Sequence, residues 1–207
     1  KIFIKNNILT PKFFTLGKEE FKKNILKKFL IKNKINFPVV IKPINEGSSL
    51  GVKISNDIIK LNNSAKVLFK NYNKLIFEQY IGGQEIQAAV INKKSIGAIE
   101  LIPKRLFYDY KAKYTKSAKT KHIMPARINK KKYSEVLKLA LKAHKALNCK
   151  GVTRADFKFL NNKFYLLEIN TQPGMTNLSL VPEIANFHGI SFPNLIEKIL
   201  LDASTNR

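Results

Sequence analysis

Residues 152–170, VTRADFKFLNNKFYLLEIN, limit what this chain can fold into more than any other stretch. Two strand-like runs rich in aromatic and branched residues meet at Asn161-Asn162, as in a hairpin. Side-chain chemistry then selects the register. Pairing Ala155, Phe157 and Phe159 with Ile169, Leu167 and Tyr165 makes one face fully apolar. The other face pairs Asp156 with Glu168, and Arg154 with Asn170. A one-residue slip would put Glu168 on the apolar face and strand Asp156 among Leu and Tyr. Two opposed carboxylates repel unless positive charge lies between them. Oxygen ligands of this kind (Asp156, Glu168 and the Asn170 amide) suit Mg²⁺ shared with phosphate groups. The alternative is a structural ion cluster in which Arg154 neutralises the pair.

A second constellation lies upstream in VVIKPINEGSSLG, residues 39–51. Lys42 ends an apolar strand, where an unpaired ammonium is costly. Glu46, Gly47, Ser48 and Ser49 follow as a loop rich in N–H and hydroxyl donors, which suits phosphate. The loop is neither a Walker A sequence nor a dinucleotide-binding G-x-G-x-x-G. A plain hairpin turn with a snorkelling lysine is the competing reading. His122, His144 and His188 are scattered, so neither a zinc site nor a Ser-His-Asp set is indicated.

Periodicity places helices at 18–34, about 64–72, 132–148 and 193–202. Strands are expected at 37–43, 52–55, 74–81, 84–92, 95–103, 152–160 and 163–170. Residues 104–121 lack a steady period and are expected to form a long, lid-like loop. Gly82-Gly83 is the candidate hinge between two α+β halves, 1–81 and 82–207.

The formal charge is +24, which raises the question of a nucleic-acid partner. Only Arg105, Arg127, Arg154 and Arg207 are arginines, and the lysines are spread along the whole chain. That pattern favours a solvated basic surface over a specific nucleic-acid site. Cys149, the single cysteine, cannot form an internal disulfide and fits a reducing, cytoplasmic compartment. No apolar run is long enough to span a bilayer, and the N-terminus does not read as a signal peptide. The chain begins with Lys1, as if cut from something longer.

Taken in order, these segments resemble the ATP-grasp fold and, within it, the D-alanine–D-alanine ligase family. VIKPINEGSSLGV resembles that family's Lys-Pro-x-x-Glu-Gly-Ser-Ser-x-Gly segment. IFEQYIGGQEI resembles its adenosine-carrying linker, and FYDYKAKY (107–114) its lid. GVTRAD and LLEINTQPGMTNLSLVP resemble its catalytic and metal segments. The resemblance implies an α+β fold of two subdomains holding the nucleotide between them. It implies ATP-dependent ligation of two D-alanines through an acyl phosphate, for peptidoglycan precursors. Lys42 and Lys113 would hold ATP phosphates, together with the loop of Glu46, Gly47 and Ser49. Backbone groups of Gln79, Tyr80 and Ile81 would meet adenine, Glu78 its amino group, and Glu85 the ribose. Asp156, Glu168 and Asn170 would hold two Mg²⁺ or Mn²⁺. Ser48, Tyr114, Arg154, Gly174, Ser179 and Leu180 would line the D-alanine sites, with Arg154 and the Gly174 N–H facing the oxyanion.

Two departures from the family pattern stand out. Gln79 occupies a position where the family often has Lys near adenine. The family also begins with an N-terminal domain that supplies a further phosphate lysine, a substrate-binding glutamate and much of a homodimer contact. The expectation is therefore that the 207 residues bind Mg–ATP weakly without turnover, and that the full-length protein is a homodimer. The rivals are another ATP-grasp carboxylate–amine ligase, a basic nucleic-acid-binding module and a ligase that has lost activity. The intact Lys42, Arg154, Asp156 and Glu168 argue against the last.

Overall fold

A computed structural model describes residues 1–47, 49–103, 120–176 and 178–203. They fall into two compact units. The first is built on Pro11–Ile81. The second comprises Lys1–Thr10, Gly82–Ile102 and the described residues from Lys121 on. The first ten residues thus pack with the C-terminal unit rather than opening the first half, as the sequence reading had them. Ile8 is buried in the core of that unit, and the Leu166 N–H donates to the Leu9 carbonyl at 2.8 Å.

The Pro11–Ile81 unit has an antiparallel sheet of β1 (Phe13–Gly17), β2 (Val39–Pro43), β3 (Lys53–Ser55) and β4 (Lys74–Gln79), in the order β1-β4-β2-β3. Alternation sends Phe14, Leu16, Val39, Ile41, Leu75 and Phe77 to one face. There they meet Leu26 and Leu30 of α2 (Ile25–Lys32) and Leu61 and Ala65 of α3 (Ile58–Leu68). Phe14 and Phe77, paired across β1 and β4, stack at 4.8 Å. Both helices differ from expectation at their starts. α2 begins late because Asn24 sits in the left-handed region (φ 64°), although Phe21 still packs on the core. α3 begins early because the Asp57 carboxylate accepts from the Lys60 N–H at 2.8 Å, a side-chain cap. β1 was not foreseen.

The second unit has a five-stranded antiparallel sheet. Its strands are β5 (Gln84–Ile91), β6 (Lys94–Ile102), β7 (Lys121–Ile123), β8 (Val152–Leu160) and β9 (Lys163–Asn170), in the order β7-β6-β5-β8-β9. One face is covered by α4 (Lys130–Ala146), capped by the Asn129 side chain. Val136, Ala140 and Ala143 of that helix meet Ile86, Ala88, Ala98, Ala155 and Phe157. Small residues on both sides bring helix and sheet close. On the opposite face α5 (Leu180–Phe187) approaches β6. A Cβ on Gly97 would fall 2.9 Å from an Ile184 methyl and 2.5 Å from the His188 ring. α6 (Phe192–Leu201) closes the chain; α5, β7 and the short α1 (Ile2–Lys5) were not foreseen. No described helix is long and apolar enough to cross a membrane.

The β8–β9 hairpin spans the expected residues, but its register changes partway. Arg154–Asn170, Ala155–Ile169 and Asp156–Glu168 pair as read from the sequence. A bulge follows, and Phe157 and Phe159 then oppose Leu166 and Phe164 instead of Leu167 and Tyr165. The cause is packing. Phe164 and Leu166 are buried in the core under α4, whereas Leu167 and Tyr165 are only half-buried. The extra residue turns Phe164 and Leu166 inward without turning Glu168 with them. Gly83, beside this hairpin, has φ +82°, and a Cβ there would fall 2.2 Å from the Phe159 carbonyl oxygen. Only glycine fits that approach.

Candidate functional site

Two polar sheet faces, one in each unit, collect the residues singled out above. In the first unit, Val40 and Lys42 alternate away from the core-facing Val39 and Ile41. Lys42 Nζ lies 2.9 Å from Glu78 Oε2 on the neighbouring strand, and both side chains are largely buried. The costly lysine is thus paired, and its partner is the residue expected near the adenine amino group. Past the strand, the Gly47 carbonyl accepts from the Leu50 N–H at 2.9 Å, closing a turn. Ser49 (φ 61°) and Gly51 (φ 72°) are left-handed, and a Cβ on Gly51 would sit 2.9 Å from the Pro43 ring. Burial first, then the nearby Glu46 carboxylate, push the Tyr72 pKa up.

At the end of β4 the Gln79 side chain accepts from the Asn36 N–H at 3.0 Å, and its own N–H donates to Lys12 at 2.8 Å. The Tyr80 N–H donates to Pro38 at 3.1 Å. Of the three residues whose backbone groups are expected at adenine, Gln79 and Tyr80 therefore already use their N–H groups. Ser48, Lys113 and Tyr114, like most of the expected lid, lie outside the described residues.

In the second unit the face away from α4 carries three cross-strand rows. Glu85 pairs with Lys158, Gln87 with Asp156 and then Glu168, and Ala89 with Arg154 and then Asn170. Arg154 grips Asp156 with a fork, Nε to Oδ1 at 2.8 Å and Nη2 to Oδ2 at 2.9 Å. Asn170 Nδ2 adds a bond to Asp156 Oδ2 at 3.2 Å. Asp156 is buried, while Glu168 opposite is exposed. Glu85 is held by Lys158 Nζ at 3.0 Å. Sequence reasoning missed Lys158, although alternation through 154, 156 and 158 places it on this face. Beyond the hairpin, Gly174 lies close against Ser179. Ser179 Oγ accepts from the Thr176 N–H at 3.0 Å, and a Cβ on Gly174 would fall 2.8 Å from Ser179 Oγ. Leu180, buried, opens α5.

The hairpin donors fit a hard divalent cation. They offer oxygen atoms, but Arg154 and the Asn170 amide NH₂ already bond both Asp156 oxygens, so Arg154 would have to turn away for a cation to bind. Among the described residues no group of three His, Cys, Asp or Glu side chains could hold a metal ion, so a cation here would need the Asn170 amide oxygen beside Asp156 and Glu168.

A separate cluster sits at the start of β5 on the α4 side of the sheet. Glu100, 2% exposed, accepts from Arg127 Nε and Nη2 at 3.0 Å each, from the Arg127 N–H at 3.2 Å and from Gln84 Nε2 at 3.1 Å. Burial alone would raise the Glu100 pKa, but the Arg127 and Gln84 bonds and the Arg127 charge outweigh it and hold the carboxyl below its ordinary range. Nothing local in the sequence joins these three residues.

Comparison with known proteins follows the same segments. Residues 2–201 match the family model described as D-ala D-ala ligase C-terminus. The chain is 59% identical over 207 residues to a D-alanine–D-alanine ligase of Pelagibacter ubique, covering all of this chain and 67% of that protein. It is 44% identical over 208 residues to a D-alanine–D-alanine ligase of Wolbachia pipientis, covering 98% of this chain and 62% of that one. Among solved structures, the D-alanine–D-alanine ligase of Bacillus anthracis complexed with ATP superimposes with a TM-score of 0.80 at 29% identity, over 97% of this chain and 62% of that one. The VanG D-Ala:D-Ser ligase of Enterococcus faecalis gives 0.83 at 28% identity, over 96% and 58%. The chain therefore spans 58–67% of the length of these relatives.

Proposed function

The chain belongs to the D-alanine–D-alanine ligase family and has its α+β, ATP-grasp fold, and from that premise we propose that the full-length protein joins two D-alanines at the expense of ATP. The product, D-alanyl-D-alanine, would serve peptidoglycan precursor synthesis. One observation carries this reading above others: the family match runs through both polar faces, with Lys42, Glu78, Arg154, Asp156, Glu168 and Asn170 all in matching segments.

Each residue then has a task. Lys42, oriented by Glu78, sets its ammonium against ATP phosphates, helped by Lys113 and the loop of Glu46, Gly47 and Ser49. The adenine edge falls to the Ile81 N–H and the carbonyls at the end of β4, since Gln79 and Tyr80 have spent theirs. Glu85, steadied by Lys158, accepts from the ribose hydroxyls. Asp156, Glu168 and Asn170 would hold two Mg²⁺ or Mn²⁺, which supply charge neutralisation on the transferring phosphoryl group. The first D-alanine carboxylate attacks the γ-phosphorus and ADP leaves. The amine of the second D-alanine then attacks the acyl phosphate carbon, and phosphate departs. Arg154 leaves Asp156 to donate to the tetrahedral oxyanion beside the Gly174 N–H. Ser48 and Tyr114 order the D-alanine sites, Ser179 and Leu180 complete the pocket, and lid closure keeps water from the acyl phosphate. The full-length protein works as a homodimer in the cytoplasm, a compartment that would keep Cys149, the one cysteine of these 207 residues, reduced.

The test is phosphate release by the full-length protein with ATP and single amino acids, with the peptide product identified by mass. D-alanine should be used as both donor and acceptor. Activity with L-amino acids and none with D-alanine would overturn the reading. A preference for D-serine as acceptor would move the specificity towards that named for the Enterococcus faecalis relative.

A further inference from the structure

Gln87 lies on β5 directly opposite Asp156, in the row that continues to Glu168. It shares their face of the sheet, because directly paired residues project the same way. Its other neighbour is the fully buried Ile99 on β6. Gln87 is only 1% exposed, and its amide oxygen has no hydrogen-bond partner among the described residues. A buried amide oxygen without a partner is destabilising, so folding alone would favour Leu or Met there. Asn170 lies one row further along and already donates to Asp156. The Gln87 amide oxygen is therefore a buried acceptor set beside the acidic hairpin and without a partner among the described residues.

We propose that Gln87 is a positioning residue of the divalent-cation site. Its amide oxygen accepts a hydrogen bond from a water carried by the cation at Asp156. This rests on the reading of Asp156, Glu168 and Asn170 as cation ligands. Small hard cations shed their hydration reluctantly and keep several waters, each needing an acceptor in a buried setting. Direct cross-strand neighbours have Cβ atoms about 4.5–5.5 Å apart, which leaves a glutamine amide room to reach a water on the ion beside Asp156. Glu168, paired with Asp156 on the far side of the row, would support the same ion.

The test is Mn²⁺ affinity of the full-length protein, measured by the electron spin resonance signal of free Mn²⁺, alongside thermal unfolding without metal. Gln87→Leu keeps the size and removes the acceptor. It should weaken Mn²⁺ binding about tenfold, the usual loss when an outer partner of a metal site is removed. The same variant should unfold at the same or a higher temperature, because it removes an unpartnered polar group. Gln87→Glu restores an acceptor and adds charge, so it should bind Mn²⁺ at least as tightly as the original. Unchanged affinity in Gln87→Leu, or a lowered melting temperature from loss of an internal hydrogen bond, overturns the proposal. Asp156→Asn separates the two levels. If it loses Mn²⁺ while Gln87→Leu does not, only the Gln87 role falls; if it too keeps Mn²⁺, the cation site itself falls.

Discussion

Glu100→Gln tests whether the Glu100–Arg127–Gln84 cluster fixes the start of β5, the strand that presents Glu85. The glutamine keeps the volume but removes the charge. Its NH₂ group also faces donors: Oε2 receives two Arg127 bonds, and Oε1 receives one from Arg127 and one from Gln84. Either amide orientation forfeits two bonds to a charged acceptor, each worth about 1.5–3 kcal/mol. The Arg127 side chain is 58% exposed, so water softens part of the loss. The expected cost is about 3 kcal/mol, a fall in melting temperature of about 6–12 °C for a chain of this size. The pH dependence has a definite sign. The folded Glu100 carboxyl titrates below its unfolded value. Its contribution is therefore present above the ordinary carboxylate range and is lost as pH falls through the depressed folded value. The gap between wild type and Glu100→Gln should be full at neutral pH and narrow in acid. Thermal unfolding followed by circular dichroism at several pH values measures it. A gap under about 1 kcal/mol at pH 7, or one that widens in acid, would refute the reasoning.

Three further outcomes follow from single residues. Gly83→Ala forces a Cβ to within 2.2 Å of the Phe159 carbonyl at φ +82°, and should cost at least about 2 kcal/mol. Gly47→Ala meets nothing within 4 Å and should change stability by less than about 0.5 kcal/mol; equal urea midpoints for the two variants would contradict the packing described. Lys42→Met removes the phosphate-facing ammonium and leaves Glu78 largely buried without its partner. It should weaken binding of a non-hydrolysable ATP analogue at least about tenfold by calorimetry, and undiminished affinity would remove Lys42 from the nucleotide site.

What the sequence disclosed was local. Strands β8 and β9 were legible to the residue because apolar alternation and two opposed carboxylates admit one register near Asp156. The bulge was not legible, since the demand on Phe164 and Leu166 comes from α4, a helix whose position no local pattern states. Helix starts moved for local reasons that apolar periodicity does not read, a cap at Asp57 and a left-handed residue at Asn24. The need of Lys42 for a partner was evident, but its identity, Glu78, depended on β2 and β4 being neighbours. Gln84, Glu100 and Arg127 meet only once the sheet is assembled.

The bulge in β9 gives that strand a change of parity. Before it, towards Lys163, the inward positions are the even ones, Phe164 and Leu166; after it, Ile169 packs on the core while Glu168 and Asn170 face Asp156 and Arg154. The two halves of one strand thus keep separate alphabets, one governed by fit and the other by charge. A ribbon of unbroken alternation would have forced a choice between burying Phe164 and presenting Glu168. Here the packing end can drift through apolar substitutions without rotating the carboxylates out of line.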